Sequence, residues 1–465
     1  MENQVKVQEK TSMKTAFFYS FGEVGSQLSW AMINTYLTVF YTDVVGLTAA
    51  AVSIIMLIAR VWDAINDPMM GVIADRTNTR WGKFRPYLMF APPFLAVFNV
   101  LTFTVFPVEG IAKVLICLVC YIGAGMAYTA ICITYGAIVN RIARDSQVRM
   151  NYTSARAIGS SVTQFVIGAA AMPLILYFSG SDMPQARGYF MTALICSITM
   201  VPIFWLCAYN CKETVVVEKT EQMEGPKEKR SVLQSLKLMS KNKMLLITVF
   251  CVFIGAASTM GRMSLLSYYA IYVVGSPMSL SAIFSAMNIF NFIGCLLLPM
   301  ATKIFGKRNW LIILNVVQIA AFVIMFLVPA NNMIFLVGVS CVIGITNSAA
   351  NVCTGMLSDC IEYGDWKYGI REEGLTYAYM SFGVKLATAV TGSVGVLLLA
   401  ATGFVPNAEQ TEAAKTGINA IVNLFPAALV FISMIPLFFY KLNKKTMDKI
   451  VAEIDARNAA KEKEN

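Results

Sequence analysis

Long apolar runs follow one another from residue 16 almost to the end of the chain, with only short polar breaks between them. A helix that crosses a bilayer needs roughly 20 apolar residues, or about 25 when tilted. Such spans are expected near 16–42, 48–75, 86–106, 111–139, 152–178, 188–210, 244–275, 279–302, 309–329, 333–358, 374–402 and 416–440. A soluble fold has no way to bury that many apolar runs. Composition points the same way: 57% of the residues are hydrophobic and 14% are charged, against about 25% charged in a soluble domain. Size excludes a small disulfide scaffold, and apolar content excludes a disordered chain. The expected class is an all-α, multi-pass membrane protein of twelve helices.

The segment 211–243 is the long charged interruption before the tail at 441–465. It divides the chain into a first set of six spans at 16–210 and a second at 244–440, with a polar tail at 1–15. With both termini inside, three of the 37 basic residues (Lys113, Arg187, Lys415) fall in outside loops. Three more (Arg60, Arg262, Lys385) lie within spans, and the rest are cytoplasmic. A shift by one helix would break the positive-inside rule. The net charge of +10 is thereby read as orientation and contact with anionic headgroups; nucleic acid is not an expected partner. No signal-peptide pattern appears in residues 1–15. The expected location is the cell (inner) membrane, as a monomer.

Six plus six spans with a cytoplasmic linker match the major facilitator architecture. Each half carries a basic loop after its second span: Asp75-Arg76-Thr-Asn-Thr-Arg80-Trp-Gly82-Lys83 in the first, Lys303 to Arg308 in the second. The first resembles the loop signature of that superfamily. Asp75, Arg76, Arg80 and Lys83 are read as gate residues, with an orientation signal as the plainer reading.

The chain has no histidine, so the side chain most used for zinc ligation and general-base work is missing. Proton chemistry would fall to carboxylates. The 11 cysteines lie almost all in apolar runs, and Cys117 and Cys120 of the one CxxC are read as inert packing residues. Six ionisable side chains sit well inside spans: Glu23, Arg60, Asp63, Asp67, Arg262 and Lys385. A charge at the bilayer centre costs about 2.5 to more than 10 kcal/mol. These six must pair or line a wet cavity.

The second span holds Arg60-Val-Trp-Asp63-Ala-Ile-Asn66-Asp67. Arg60, Asp63 and Asp67 fall at i, i+3 and i+7, on one helix face. Two carboxylates and the Asn66 amide offer oxygens to one small hard cation, Na+ among them. The same pair could instead hold a proton, because neighbouring carboxylates repel. Lys385 in the eleventh span needs a carboxylate, and Asp63 or Asp67 is the expected partner. Glu23 and Gln27 stand one turn apart on the first span with Ser26 and Trp30, a combination that suits sugar hydroxyls and an apolar sugar face. Tyr128 and Thr129 add polar groups in the fourth span, and Asn351 does so in the tenth. Arg262 stands near Tyr268 and Tyr269, as either a sugar contact or a packing residue.

The blocks RVWDAINDPMMGVIADRTNTRWGKFRPY (60–87) and LSDCIEYGDWKYGIREEGLTYAYMSFGVK (357–385), with YTDVVGL (41–47) and YGAIVNRIARDSQVRMNYTSAR (135–156), resemble the glycoside–pentoside–hexuronide:cation symporters. The resemblance implies a cation site at Asp63 and Asp67 with Asn66 and Thr129 beside it. It implies that Lys385 faces those carboxylates and that Arg156 lies at the inner end of the fifth span. It further implies an inner gate loop holding Asp359, Glu362, Tyr363, Asp365, Lys367 and Arg371. The chain departs from members of the melibiose-permease type: Gln27 and Cys132 stand where those carry sugar-binding aspartates, and Ala350 replaces a tryptophan. A galactoside bound in that way is therefore not expected; a pentoside, a glucoside or a hexuronide stays open. The expected function is symport of a sugar or glycoside with Na+, Li+ or H+, without a cofactor. A non-sugar solute or an uncoupled uniporter is the alternative. An enzyme or sensor would need a nucleophile–base pair, a metal set or a signalling domain, none of which is legible.

Overall fold

The computed structural model describes residues 12–143, 146–213, 241–329, 332–368 and 373–443, and within 446–457 all but 448, 451 and 455. Arg371 and most of the linker lie outside the described residues, as does the side chain of Asp75. The described residues are helical apart from turns and one isolated bridge between Thr79 and Gly82. Lipid offers no water to unpaired backbone groups, so spans must satisfy them internally.

The first six helices are α1 (Met13–Val39), α2 (Ala49–Arg76), α3 (Arg85–Thr102), α4 (Gly110–Ile142), α5 (Ser146–Ser179) and α6 (Ala186–Asn210). Next come α7 (Lys243–Tyr268), α8 (Ser279–Phe305) and α9 (Lys307–Leu327). The tenth span is interrupted at Asn347 and Ser348, giving α10 (Met333–Thr346) and α11 (Ala349–Tyr368). The eleventh span is α12 (Glu373–Ala401). The twelfth is α13 (Glu412–Asn419) and α14 (Phe425–Met434) joined by a π-helical turn. Ten of the twelve spans meet length and apolarity criteria for crossing a membrane. The other two are α1, which carries Glu23, Gln27 and several hydroxyls, and α3, which opens on Arg85 and holds Pro92 and Pro93. The tenth span runs to Tyr368, ten residues past its expected end, because its C-terminal end is tied to its own unit by the contacts described below.

The chain forms two compact units. The first contains α1 to α6. There α1 packs on α5 and α6, α3 on α4 and α6, and α2 on α4. The second contains α7 and the helices from α9 to α14, with most of α8. There α7 packs on α12 and α14, and α9 on α10 and α14.

Each unit repeats two local devices. Helix α1 ends in a π-helical turn at Phe40–Val44, and α7 ends in one at Tyr269–Val273. Both turns close on a Val-Val-Gly sequence whose glycine, Gly46 or Gly275, has φ 76°. Side chains rarely adopt that backbone, which explains the repeated glycine. Second, an arginine at the start of the third span of each unit caps the end of the sixth. Arg85 Nε donates to Ala208 O at 2.8 Å. Arg308 donates through Nε to Leu437 O at 2.8 Å and through an η nitrogen to Phe438 O at 3.0 Å. The last carbonyls of a helix have no intrahelical donor, and a cation there also opposes the helix dipole.

The tail after the twelfth span is not merely solvated. Met447, Ile450 and Ile454 are buried with Met356, Leu357 and Cys360 of α11. Arg457 pairs with Asp365 at 2.5 Å, and Trp366 Nε1 donates to Glu453 at 2.6 Å. The tail thus docks on the C-terminal end of α11 in its own unit.

Candidate functional site

In the first unit, α1 and α4 approach closely enough for the Tyr135 ring to occupy the space above Gly22. A Cβ there would overlap the ring. The approach is locked by two hydrogen bonds between side chain and backbone: Tyr135 OH to Tyr19 O at 2.6 Å and Tyr19 OH to Tyr135 O at 3.3 Å. It brings polar faces of α1, α2, α4 and α5 into one region.

Glu23 is the centre of a hydrogen-bonded group. Its carboxylate accepts from Arg156 Nε at 2.7 Å and from Gln27 Nε2 at 2.9 Å. Gln27 also donates to Ser160 at 3.2 Å, and the Arg156 guanidinium lies 5.0 Å from the centre of the Tyr135 ring. Glu23 is 8% exposed, so Arg156 rather than water is its electrostatic partner. One turn along α1, Trp30 stacks on Tyr128 with centroids 4.2 Å apart and planes 14° apart. Cys132 places its sulfur 3.9 Å from Ser26 Oγ. The region presents an aromatic platform beside a set of donors and acceptors.

The acidic stripe on α2 adjoins this platform. Arg60 reaches Asp63 at 3.4 Å and also lies 5.4 Å from the Trp30 ring centre. Asp67 accepts from Thr129 Oγ1 at 3.2 Å. Thr129 thereby stands beside Asp67. Asn66 is 2% exposed, and among the described residues its Nδ2 has no hydrogen-bond partner. A half-turn of the amide would put an oxygen in that place.

The loops expected to act as gates are placed as follows. Loop 77–84 folds back through paired hydrogen bonds between Thr79 and Gly82. Arg76 and Arg80 are exposed, and Arg80 stacks 4.3 Å from the Trp81 ring. Lys83 lies 5.2 Å from the Phe84 ring. What fixes this loop is Glu213, which sequence reasoning missed. Its carboxylate accepts from the backbone N–H of Lys83, Phe84 and Arg85 at 2.9, 2.6 and 3.0 Å. A carboxylate at the N-terminus of α3 satisfies donors that have no intrahelical partner. Gly82 has φ 116°, and a Cβ on it would stand 2.6 Å from the Glu213 carboxylate. The signal available in the sequence was an acid directly after the sixth span, where inside loops otherwise collect cations.

In the second unit, Lys307 pairs with Asp359 at 2.6 Å and donates to Gly355 O at 3.1 Å. The basic loop after the eighth span is thus tied to the expected gate segment. Glu362 is half-buried, and Lys367 donates to Tyr363 OH at 2.8 Å. Asn351 is exposed and donates to Cys295 Sγ at 3.2 Å. Lys385 is exposed on α12.

Arg262 is 2% exposed and enclosed by apolar groups. Its η nitrogens point at the sulfurs of Met287 and Met325 at 3.5 and 3.2 Å, and among the described residues its Nε has no hydrogen-bond partner. The Phe322 ring centre lies 5.3 Å from the guanidinium. This is a packed setting, which favours the packing alternative for Arg262 over the sugar contact. Taking a charge out of water costs several kcal/mol when no partner compensates it, and an apolar chain of similar length avoids that cost. Arg262→Met is expected to raise the thermal unfolding midpoint of the detergent-purified protein. A fall in that midpoint would instead mean that the charge is compensated.

The fold and this site define a polytopic carrier assembled from two repeated halves. The pattern of the MFS/sugar transport protein family matches residues 18–444. The chain is 32% identical to the isoprimeverose transporter of Lactiplantibacillus pentosus over 95% of this chain and 91% of that one. It is 29% identical to the glucuronide carrier protein homolog of Escherichia coli K12, over 97% of each. Among solved structures, a D-xylose-proton symporter superposes with a TM-score of 0.65 at 12% identity, covering 94% of this chain and 99% of that one; this likeness shows the fold alone. The chain belongs to the MFS/sugar transport family, among the glycoside–pentoside–hexuronide:cation symporters. It is a membrane transporter, not an enzyme.

Proposed function

We propose that the protein couples inward movement of an uncharged glycoside to a monovalent cation held by Asp63, Asp67 and Thr129. The observation that carries this reading is the adjacency of the two groups. Arg60 touches both Asp63 and the face of Trp30, so a change of charge at the carboxylates reaches the aromatic platform through one side chain. Cation binding would compete with Arg60 for Asp63 and reposition the guanidinium over Trp30. That is a differential interaction of the kind coupling requires. Asn66 stands next to the carboxylates as a further oxygen donor.

Trp30 and Tyr128 would stack on a sugar face while Gln27 and Ser160 bind hydroxyls. Arg156 is already neutralised by Glu23 at 2.7 Å, which supports an uncharged sugar over a hexuronide: an acidic sugar would have to displace Glu23. The name of the isoprimeverose relative is compatible with this preference, and that of the glucuronide relative marks the competing class. For Lys385 the proposal keeps an electrostatic role, in which a neutral replacement alters cation affinity. The Glu213 clasp and the Lys307–Asp359 pair are proposed as parts of the inner gate.

The test is uptake of labelled pentosides, glucosides and glucuronides into membrane vesicles with Na+, Li+ or a proton gradient alone. Stimulation of a neutral glycoside by one cation supports both parts of the proposal. Glucuronide transport in preference to neutral sugars would overturn the substrate class, and cation-independent equilibration would overturn the coupling.

A further inference from the structure

A cleft of about 750 Å³ opens between α3 and α6 of the first unit. Its size is within the range of about 300–1,000 Å³ typical of small-molecule sites. Its wall is apolar and includes Met89, Phe90, Trp205, Leu206 and Tyr209, with Arg85 as the one charged lining residue. Phe90, Trp205, Leu206 and Tyr209 are exposed. They lie on helices that cross the membrane, so the solvent they meet is hydrocarbon. Tyr209 and Trp205 are side chains that favour the headgroup level, and Trp81 packs edge-on against Phe90 at 5.6 Å beside them. Arg85 opens α3, next to loop 77–84 with its further cations Arg80 and Lys83. Among the described residues its guanidinium is held by carbonyl oxygens, those of Ala208 at 2.8 Å and Trp81 at 3.4 Å. The nearby Glu213 carboxylate is committed to three backbone N–H groups.

We propose that this cleft binds one anionic phospholipid, with an acyl chain along the apolar wall and the phosphate on Arg85. The two ends of the cleft match the two ends of such a molecule. An apolar trough on a lipid-facing surface takes a chain of any lipid; a cation at its headgroup end selects for negative charge. A basic side chain near the membrane surface is worth about 1 kcal/mol toward an anionic lipid, or about fivefold in affinity. The same arginine also caps the end of α6, so the lipid would tighten the junction of the third and sixth spans.

The experiment is native mass spectrometry of the full-length protein in detergent, incubated with equal amounts of phosphatidylglycerol and phosphatidylcholine. The parent is expected to retain one phosphatidylglycerol per chain, about fivefold or more over phosphatidylcholine. Arg85→Gln should bring the ratio near one, and Arg85→Lys should preserve it. Leu206→Trp, which fills the cleft, should remove both lipids while Arg85 is intact. Equal retention of the two lipids by the parent would overturn the proposal, as would an unchanged ratio in Arg85→Gln or full retention in Leu206→Trp. A lipid-free protein, monomer or dimer, would likewise overturn it. Arg85→Lys and Leu206→Trp keep the test valid where Arg85→Gln fails to fold.

Discussion

Asp67→Asn is expected to abolish cation-driven accumulation of sugar while leaving the protein folded. Asparagine keeps the shape of the side chain and still accepts from the Thr129 hydroxyl, which lies 3.2 Å from the carboxylate. What it removes is the charge that would hold a cation. Hydrogen bonds and contacts to a charged group are worth about 1.5–3 kcal/mol, so cation affinity should fall about tenfold to a hundredfold. Sugar exchange down its gradient should survive, since the Trp30–Tyr128 platform is untouched. Thr129→Val should weaken cation affinity less, by about twofold to tenfold, because it deletes one neutral ligand. Asp63→Asn should differ from both. It leaves Arg60 without the carboxylate found at 3.4 Å, so stability should fall together with coupling. The check is labelled uptake in vesicles at varied cation concentration, beside equilibrative exchange. Normal accumulation by Asp67→Asn would remove Asp67 from the cation site.

Arg156→Met is expected to produce the largest loss of stability among substitutions in the sugar region. It strands Glu23, whose side chain is 10% exposed. Removing one partner of a buried pair typically costs about 3–5 kcal/mol. Here the low end is expected, because Arg156 is 35% exposed and Gln27 still donates to Glu23 at 2.9 Å. Glu23→Gln combined with Arg156→Met should recover much of that stability, since no charge is then left unpaired. Uptake should stay absent in the double variant if the pair also presents hydrogen bonds to sugar. Thermal midpoints in detergent and glycoside uptake separate the two effects. Recovery of both would make the pair structural only.

These expectations draw on parts of the molecule that differ in how far the sequence reveals them. The acidic stripe of α2 could be read directly, because Arg60, Asp63 and Asp67 belong to one helix whose period fixes their common face. The Glu23–Gln27 contact has the same origin. Arg156 was identified through the resemblance, but its pairing with Glu23 spans 133 positions, and no local period reports it. Glu213 was passed over for the same reason: its partners are backbone groups about 130 positions away, invisible to any reading of side-chain type. Arg262 shows the opposite case. Its place in a span marked it as a functional candidate, yet the neighbours that decide its character, Met287, Met325 and Phe322, come from two other helices.

By itself the sequence determined the all-helical, multi-pass character of the chain and the carboxylates on one face of α2. Span length against bilayer thickness, and charge against its cost in lipid, are local quantities that a chain states residue by residue. The tertiary structure alone decided which charges are paired, which aromatic rings form a platform and what holds the gate loop. Those depend on which helix faces meet. Close packing of Tyr135 over Gly22, with the hydrogen bonds that lock it, sets that meeting for α1 and α4.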